Sequence, residues 1–332
     1  MMTVMTVNAQ VAYLLTESTI ESLPEEEGQK PEQNAANWFQ TTYGTKGQFV
    51  SLADLKAGLT EDIKVLWINI DRTDLVDLAA AGIDADAVAA VKTFVENGGN
   101  LLLTKQAVHM AYAMGRISYA PNWSNVGYND GGDTWYIKTL LGGGTANPTD
   151  RSGHAIYKNI EKDENGQFAL VGAVRRSDRN ENWGDYFRRE PLAEGQETHY
   201  DNGNVLRLQD FEADWKCQAL ATWPHIHDYC LPMVIDFLPD WESFKGHILT
   251  ISLAAYQWGT ANEDAVNGHI ANVRLLTKNS IEYLYGSDPI DHTTTAVENV
   301  QGDNLPYTKV IRNGQLLIMY NGTMYNVQGA RL

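Results

Sequence analysis

The sequence predicts a doubly wound α/β fold with a mainly parallel sheet, on three observations. Short apolar runs recur at residues 11–16 (VAYLLT), 64–71 (KVLWINID) and 100–104 (NLLLT). A strand reads as apolar throughout, rather than alternating, when both of its faces are covered. Helical patterns separate these runs: Ala35, Ala36, Phe39 and Tyr43 repeat at helical spacing, and 84–96 is rich in Ala and Val. Strands alternating with helices at this spacing make βαβ units.

Taken in order, 11–16 is the first strand, 32–43 the first helix and 49–52 a second short strand. The third strand is 64–71. Residues 84–96 form a helix stopped by Asn97-Gly98-Gly99, because glycine accepts the left-handed backbone that ends a helix. The fourth strand, 100–104, leads into a helix over 106–115. Residues 118–135 are rich in Tyr, Trp, Asn, Gly and Asp with little periodicity, which predicts a long surface insertion. Further strands are expected at 168–174, 218–223, 233–237 and 247–253, and a long amphipathic helix at 269–285 closes the domain. After Gly286 a polar linker, 287–304, precedes 305–332. There two Asn-Gly pairs separate short β-rich runs, which is a hairpin signal because Asn-Gly tolerates positive φ.

Composition narrows the function. The 332 residues carry 25 basic and 42 acidic side chains, a net charge of −17, which argues against nucleic acid or an anionic membrane as the main partner. No apolar run reaches the roughly 20 residues of a membrane span. Residues 1–9 are apolar, small and uncharged, with Val7 and Ala9 placed as at a signal cleavage site, so an exported protein is expected, at the periplasm or cell surface. The two cysteines, Cys217 and Cys230, are too few for a disulfide scaffold. If 216–223 and 229–237 are antiparallel neighbours the thiols could face each other and oxidise. The other reading is two buried free thiols.

Two resemblances rest on particular residues. Lys309-Val310, Asn313-Gly314-Gln315-Leu316, Asn321-Gly322, Tyr325-Asn326 and Gly329 resemble the end of the sorting-domain tails of exported Bacteroidetes proteins. The first 285 or so residues resemble the class I glutamine-amidotransferase-like (flavodoxin-like) fold, and more narrowly a Bacteroidetes domain-of-unknown-function family built on it. The carriers are VAYLLT, KVLWINIDR, Gly98-Gly99 with the strand that follows, the segment 152–157 (SGHAIY), Ala221 to Trp223, and 244–248 (FKGHI) leading to Ala254-Ala255-Tyr256. The resemblance implies an amidotransferase-like α/β domain over 10–286, and some relatives accompany outer-membrane glycan-uptake systems. It also implies a nucleophilic Cys on the sharp turn after NLLLT, backed by a His–Glu pair. This chain has Lys105-Gln106-Ala107 there. Without a thiol or hydroxyl no covalent intermediate forms, so no catalytic residue is expected at that turn.

The remaining candidates are ligand contacts. Trp123, Tyr128, Trp135, Tyr136, Trp183 and Tyr186 fall in polar, loop-like segments, where flat amphipathic rings beside short polar side chains suit a sugar. The alternative is that they cap the core beneath long loops. Trp38, Trp67 and Trp258 fall in regular patterns and read as packing residues. Asp71-Arg72 follows the third strand at the C-terminal edge of the sheet, where open α/β folds bind ligands. The two could hold sugar hydroxyls or pair and position the loop. Glu17 and Gln106 face the same edge. His225, His227 and Asp228 could offer imidazoles and a carboxylate to a ligand or, with a further group, to a metal.

The leading expectation is therefore a non-catalytic exported carbohydrate-binding or glycan-uptake accessory protein. Its ligand contacts would be Trp123, Trp135, Trp183, Asp185, Asp71, Arg72, Gln106, His225, His227 and Asp228, with no cofactor and no resident metal. The alternative is a hydrolase using His225, His227 and Asp228, with or without metal. A third reading is a structural surface module.

Overall fold

The structure is a computed structural model. It describes residues 10–26, 28–72, 74–75, 77–126, 136–141, 148–163, 167–170, 178–187, 205–222, 231–259, 269–286, 307–312, 315–320 and 323–326. The chain divides into two compact units, 1–290 and 291–332.

The first unit is built on a seven-stranded sheet. Its strands are β1 (Val11–Leu15), β2 (Gly47–Ser51), β3 (Val65–Ile70), β4 (Asn100–Lys105), β5 (Cys217–Ala221), β6 (Val234–Phe237) and β7 (Ile248–Ile251), in the order β5-β6-β7-β4-β3-β1-β2. All neighbours from β7 through β4, β3 and β1 to β2 are parallel. Only β6 runs against the rest, antiparallel to both β5 and β7. A mainly parallel α/β architecture is thus present.

Alternate residues of each strand enter different cores, because successive side chains of a strand point to opposite faces. Ala12, Leu14, Leu66, Ile68, Ile70, Leu101 and Leu103 join one cluster; Val11, Tyr13, Val65, Trp67 and Leu102 join the other. The second cluster is covered by helix α1 (Pro31–Tyr43), through Ala35, Ala36, Phe39 and Tyr43, and by the closing helix Ile270–Tyr285, through Val273, Leu276, Ile281 and Leu284. The first is covered by α2 (Leu52–Ala57), α3 (Ala85–Glu96), α4 (His109–Ala113) and the helix Val205–Asp214. Helices on both faces explain why the strands read as apolar throughout. Asp84 caps α3 by accepting from Ala87 N, as a carboxylate at a helix start does. The packing tryptophans sit as expected in an aromatic cluster: the Trp67 ring is 4.8 Å from Tyr13, 6.0 Å from Trp38 and 5.9 Å from Trp258.

Three expectations change. The insertion 118–135 is not wholly irregular, since Asn122–Val126 pairs antiparallel with Asp178–Asn182 to form a two-stranded ribbon. The segment after β4 begins as a 3₁₀ turn, Gln106–Val108, before α4. In the expected strand 168–174 only Phe168–Ala169 is strand, paired with Tyr136–Ile137, and 171–177 lie outside the described residues. The segments holding 217–221 and 234–237 are antiparallel neighbours, as the sequence suggested, with Cys217 opposite Phe237. Cys217 is a buried free thiol whose Sγ donates to Phe211 O at 3.7 Å, and Cys230 is outside the described residues.

The second unit holds three antiparallel strands, Tyr307–Arg312, Gln315–Tyr320 and Thr323–Asn326. Arg312 pairs with Gln315 and Tyr320 with Thr323. The two Asn-Gly pairs themselves lie outside the described residues, as do 1–9 and 287–304.

Candidate functional site

The strand order reverses between β1 and β3, and the C-terminal edge there is where open α/β sheets take ligands. In this chain a buried polar network occupies that edge. Asp71 and Arg72 follow β3, Thr16 and Glu17 follow β1, and Glu32 enters from the first turn of α1. Arg72 Nε donates to Glu32 Oε1 at 2.8 Å and Arg72 Nη2 to Glu32 Oε2 at 3.0 Å, a bidentate pair. Arg72 Nη2 also donates to Thr16 Oγ1 at 2.6 Å, and Asp71 N donates to Glu32 Oε1 at 3.0 Å. Glu17 stands 4.0 Å from the guanidinium on the solvent side. Glu32 is 1% exposed, and burial pushes its carboxyl above the ordinary value, although the hydrogen bonds and charge of Arg72 pull the other way.

Next to this network the chain turns sharply from β4 into α4 through Lys105, whose φ is 58° and ψ −132°. That backbone is uncommon for a residue with a side chain and costs of order 1–3 kcal/mol. It is the conformation of a strand–turn–helix elbow. The side chain is fully buried, with Nζ 3.7 Å from Asp71 Oδ1 and donating to Ala254 O at 3.3 Å. Gln106, also buried, accepts from Arg72 N at 2.9 Å through Oε1, and its Nε2 has no hydrogen-bond partner among the described residues.

A second polar group continues along the edge beyond β7. Glu181 N donates to Ser252 O at 3.0 Å and Ala254 N to Asn180 Oδ1 at 2.6 Å, which fastens the ribbon to the chain leaving β7. Glu181 is fully buried, paired with Arg179 through Oε1 and with His109 Nε2 at 2.7 Å through Oε2. Trp123 is the cross-strand partner of Glu181, so the two share a face of the ribbon, and Arg179 lies two residues away on that face. The Arg179 guanidinium sits 5.1 Å from the Trp123 ring centroid.

The expected contacts therefore fare differently. Trp123 is 53% exposed beside charged groups at the C-terminal edge. Asp185 is exposed and close by, its N donating to Asn122 Oδ1 at 2.9 Å. Trp183 and Tyr186 are corrections: both are fully buried, Trp183 with its ring 6.0 Å from Phe237, so neither ring presents a face to a ligand. Asp71, Arg72 and Gln106 lie at the expected edge but are buried and engaged with protein groups, so they organise the edge from beneath. Arg72 pairs with Glu32 rather than with its neighbour. Trp135, Tyr128, His225, His227 and Asp228 lie outside the described residues. No group of three or more His, Cys, Asp or Glu among the described residues could hold a metal. No described helix is long and apolar enough to cross a membrane.

Sequence reasoning missed Glu32, His109, Arg179 and Glu181. Glu32 carried a signal: it precedes Ala35, Ala36 and Phe39 by three, four and seven residues, so it falls on the apolar stripe of α1. A carboxylate on a core-facing stripe implies a buried cationic partner. The ribbon residues carried none, because Asp178–Asn182 is entirely polar.

No protein-family model and no curated protein matches the chain. Solved structures do match. One is a protein from Bacteroides uniformis described as ThuA-like, 13% identical, covering 83% of this chain and 90% of its own, with a TM-score of 0.40. Another is a cytoplasmic protein from Salmonella typhimurium, 10% identical, covering 83% of this chain and 98% of its own, with a TM-score of 0.39.

Proposed function

We propose that this chain is an exported carbohydrate-binding or glycan-uptake accessory protein on an amidotransferase-like scaffold, binding its ligand at the C-terminal edge of the sheet. The observation that carries the reading is Trp123. Its indole is half exposed, is stacked over Arg179, and stands on a ribbon hydrogen-bonded to the edge. An aromatic face flanked by polar groups suits a sugar, whose C–H face stacks while its hydroxyls bond the surrounding donors and acceptors. Covalent chemistry at the elbow is not part of this function, since Lys105 points inward to Asp71 and Ala254.

The test is retention on immobilised glycans and a glycan array, comparing the full chain with Trp123→Ala. The wild type is retained by at least one glycan and the variant is not. Equal retention of the two proteins, or no retained glycan at all, refutes the reading.

A further inference from the structure

We propose that His109 and Glu181 form a general acid–base dyad that hydrolyses an acyl ester on a sugar seated against Trp123. This rests on the reading of Trp123 as a ligand platform and goes beyond binding.

The geometry points to it in four steps. First, Glu181 is fully buried and anchored twice, by Arg179 on one oxygen and by His109 Nε2 at 2.7 Å on the other. An anchored carboxylate accepting from one ring nitrogen fixes the imidazole's orientation and places its proton on that nitrogen. Second, Nδ1 of His109 therefore carries the lone pair, and it has no partner among the described residues. The side chain is 23% exposed, so the imidazole is partly accessible to solvent. Third, Trp123 and Glu181 are cross-strand partners on one face of the ribbon, which puts the exposed indole and the imidazole's anchor in one cluster. Fourth, His109 is the first residue of α4, directly beyond the elbow at the C-terminal edge.

The same geometry selects the chemistry. Glycoside hydrolysis needs two carboxyl groups at the scissile bond, one of them able to give up a proton. Here both oxygens of Glu181 are committed to Arg179 and His109, so it can serve neither role. The elbow supplies no nucleophile that could form an acyl-enzyme. What remains is an imidazole with a second ring nitrogen to take a proton from water, and the partner such a base suits is a planar, electrophilic ester carbonyl. In the step, water oxygen bonds to the carbonyl carbon as a water proton passes to His109 Nδ1. The bond from that carbon to the sugar oxygen then breaks, and the imidazolium returns the proton to the departing alkoxide. The products are a carboxylic acid and a free sugar hydroxyl, and nothing is oxidised or reduced. Glu181 stabilises the imidazolium through its bond to Nε2.

The experiment uses the full chain with two probes, p-nitrophenyl acetate and an O-acetylated oligosaccharide, and reads released p-nitrophenol and acetate. The informative variant is His109→Gln. Its amide can still donate to Glu181 from the position of Nε2, so the melting temperature stays close to that of the wild type, but no lone pair replaces Nδ1. The expected result is acetate release by the wild type that falls at least about a hundredfold in His109→Gln, in the range found for removal of a general base. Wild-type release no faster than the uncatalysed rate, or equal release by His109→Gln, overturns the dyad. Glycan retention by Trp123→Ala is scored separately. If Trp123→Ala binds as the wild type does, the platform reading fails; if only acetate release fails, binding at Trp123 stands without the dyad.

Discussion

The pair of Glu32 and Arg72 gives the sharpest test of how the sheet edge is held. Replacing Arg72 by Met keeps most of the side chain's bulk and removes its charge. The guanidinium makes two charge-assisted bonds to Glu32 and one bond to Thr16. Charge-assisted bonds contribute about 1.5–3 kcal/mol each, so the two to Glu32 alone come to a gross loss of about 3–6 kcal/mol. Part of it returns when Glu32, now without its partner, takes up a proton. A net loss of about 3–5 kcal/mol is expected, in line with other buried pairs from which one partner was removed. Urea unfolding at neutral pH measures it, provided the slope of stability against urea is unchanged.

Acidity makes the test more specific. Burial already holds the Glu32 carboxyl above its ordinary value, and losing Arg72 raises it further. Between the unfolded value of about 4.3 and the raised folded value, the folded state binds the extra proton. The stabilisation from a neutral Glu32 is then full below the unfolded value and is lost as pH rises through the folded one. Arg72→Met should therefore be most destabilised at pH 7–8 and closest to the wild type near pH 4.5–5. Exchanging both charges, Glu32→Met with Arg72→Met, should recover most of the loss, short of the about 1–3 kcal/mol for Asp71 N left without its acceptor. A loss below about 1 kcal/mol in Arg72→Met, or one independent of pH, would refute the argument that a buried carboxylate dictates its partner.

Three further outcomes follow from burial. Trp183→Ala should cost about 3–5 kcal/mol in urea unfolding, as large core truncations do, whereas Trp123→Ala should cost under about 1 kcal/mol. Similar costs for the two would contradict the separation of core and surface tryptophans. His154, edge-on to Tyr283 at 4.7 Å, has its pKa lowered by burial, with Arg151 and His247 adding to the shift and Asp236 opposing it. Its contribution to stability is present above the unfolded histidine value of about 6.5 and lost as pH falls through the lower folded one; His154→Asn should flatten the decline in melting temperature below pH 6.5. Burial also pushes the Cys217 thiol well up, so peptide mapping should find it unalkylated by iodoacetamide in the native protein and modified in urea.

The sheet was legible in the sequence because a doubly covered strand leaves a local trace. Val65–Ile70 is buried at every position and apolar at all but Asn69, since Val65 and Trp67 enter one core while Leu66, Ile68 and Ile70 enter the other. Asp71 and Arg72 were placed at the correct edge by the same pattern, as were the packing roles of Trp38, Trp67 and Trp258. Partners were not legible. That Arg72 meets Glu32, some 40 residues earlier, depends on α1 crossing the edge, and the only local trace is a carboxylate on an apolar stripe. The tryptophans show a further limit. Trp123 and Trp183 sit in similar polar surroundings in sequence, and only the pairing of 122–126 with 178–182 sends one ring to solvent and the other to Phe237.

The turn at Lys105 separates backbone from chemistry. Residue type removed the expected nucleophile, yet the elbow conformation is present, with a lysine where φ is 58°. A strained residue persists only where its surroundings over-determine it. Here the side chain supplies those surroundings: Nζ reaches Asp71 Oδ1 and Ala254 O, and Ala254 N in turn donates to Asn180 in the ribbon that carries Trp123. Lys105→Gly isolates the balance. Glycine removes a strain of about 1–3 kcal/mol, but it also leaves Asp71 buried without the ammonium, a loss of about 3–5 kcal/mol for a broken buried pair. The net result should be a less stable protein, with faster amide exchange in 122–126 and 178–182 than in β1 or β3. A Lys105→Gly protein more stable than the wild type, with ribbon exchange unchanged, would mean that the lysine neither holds the turn nor fastens the ribbon.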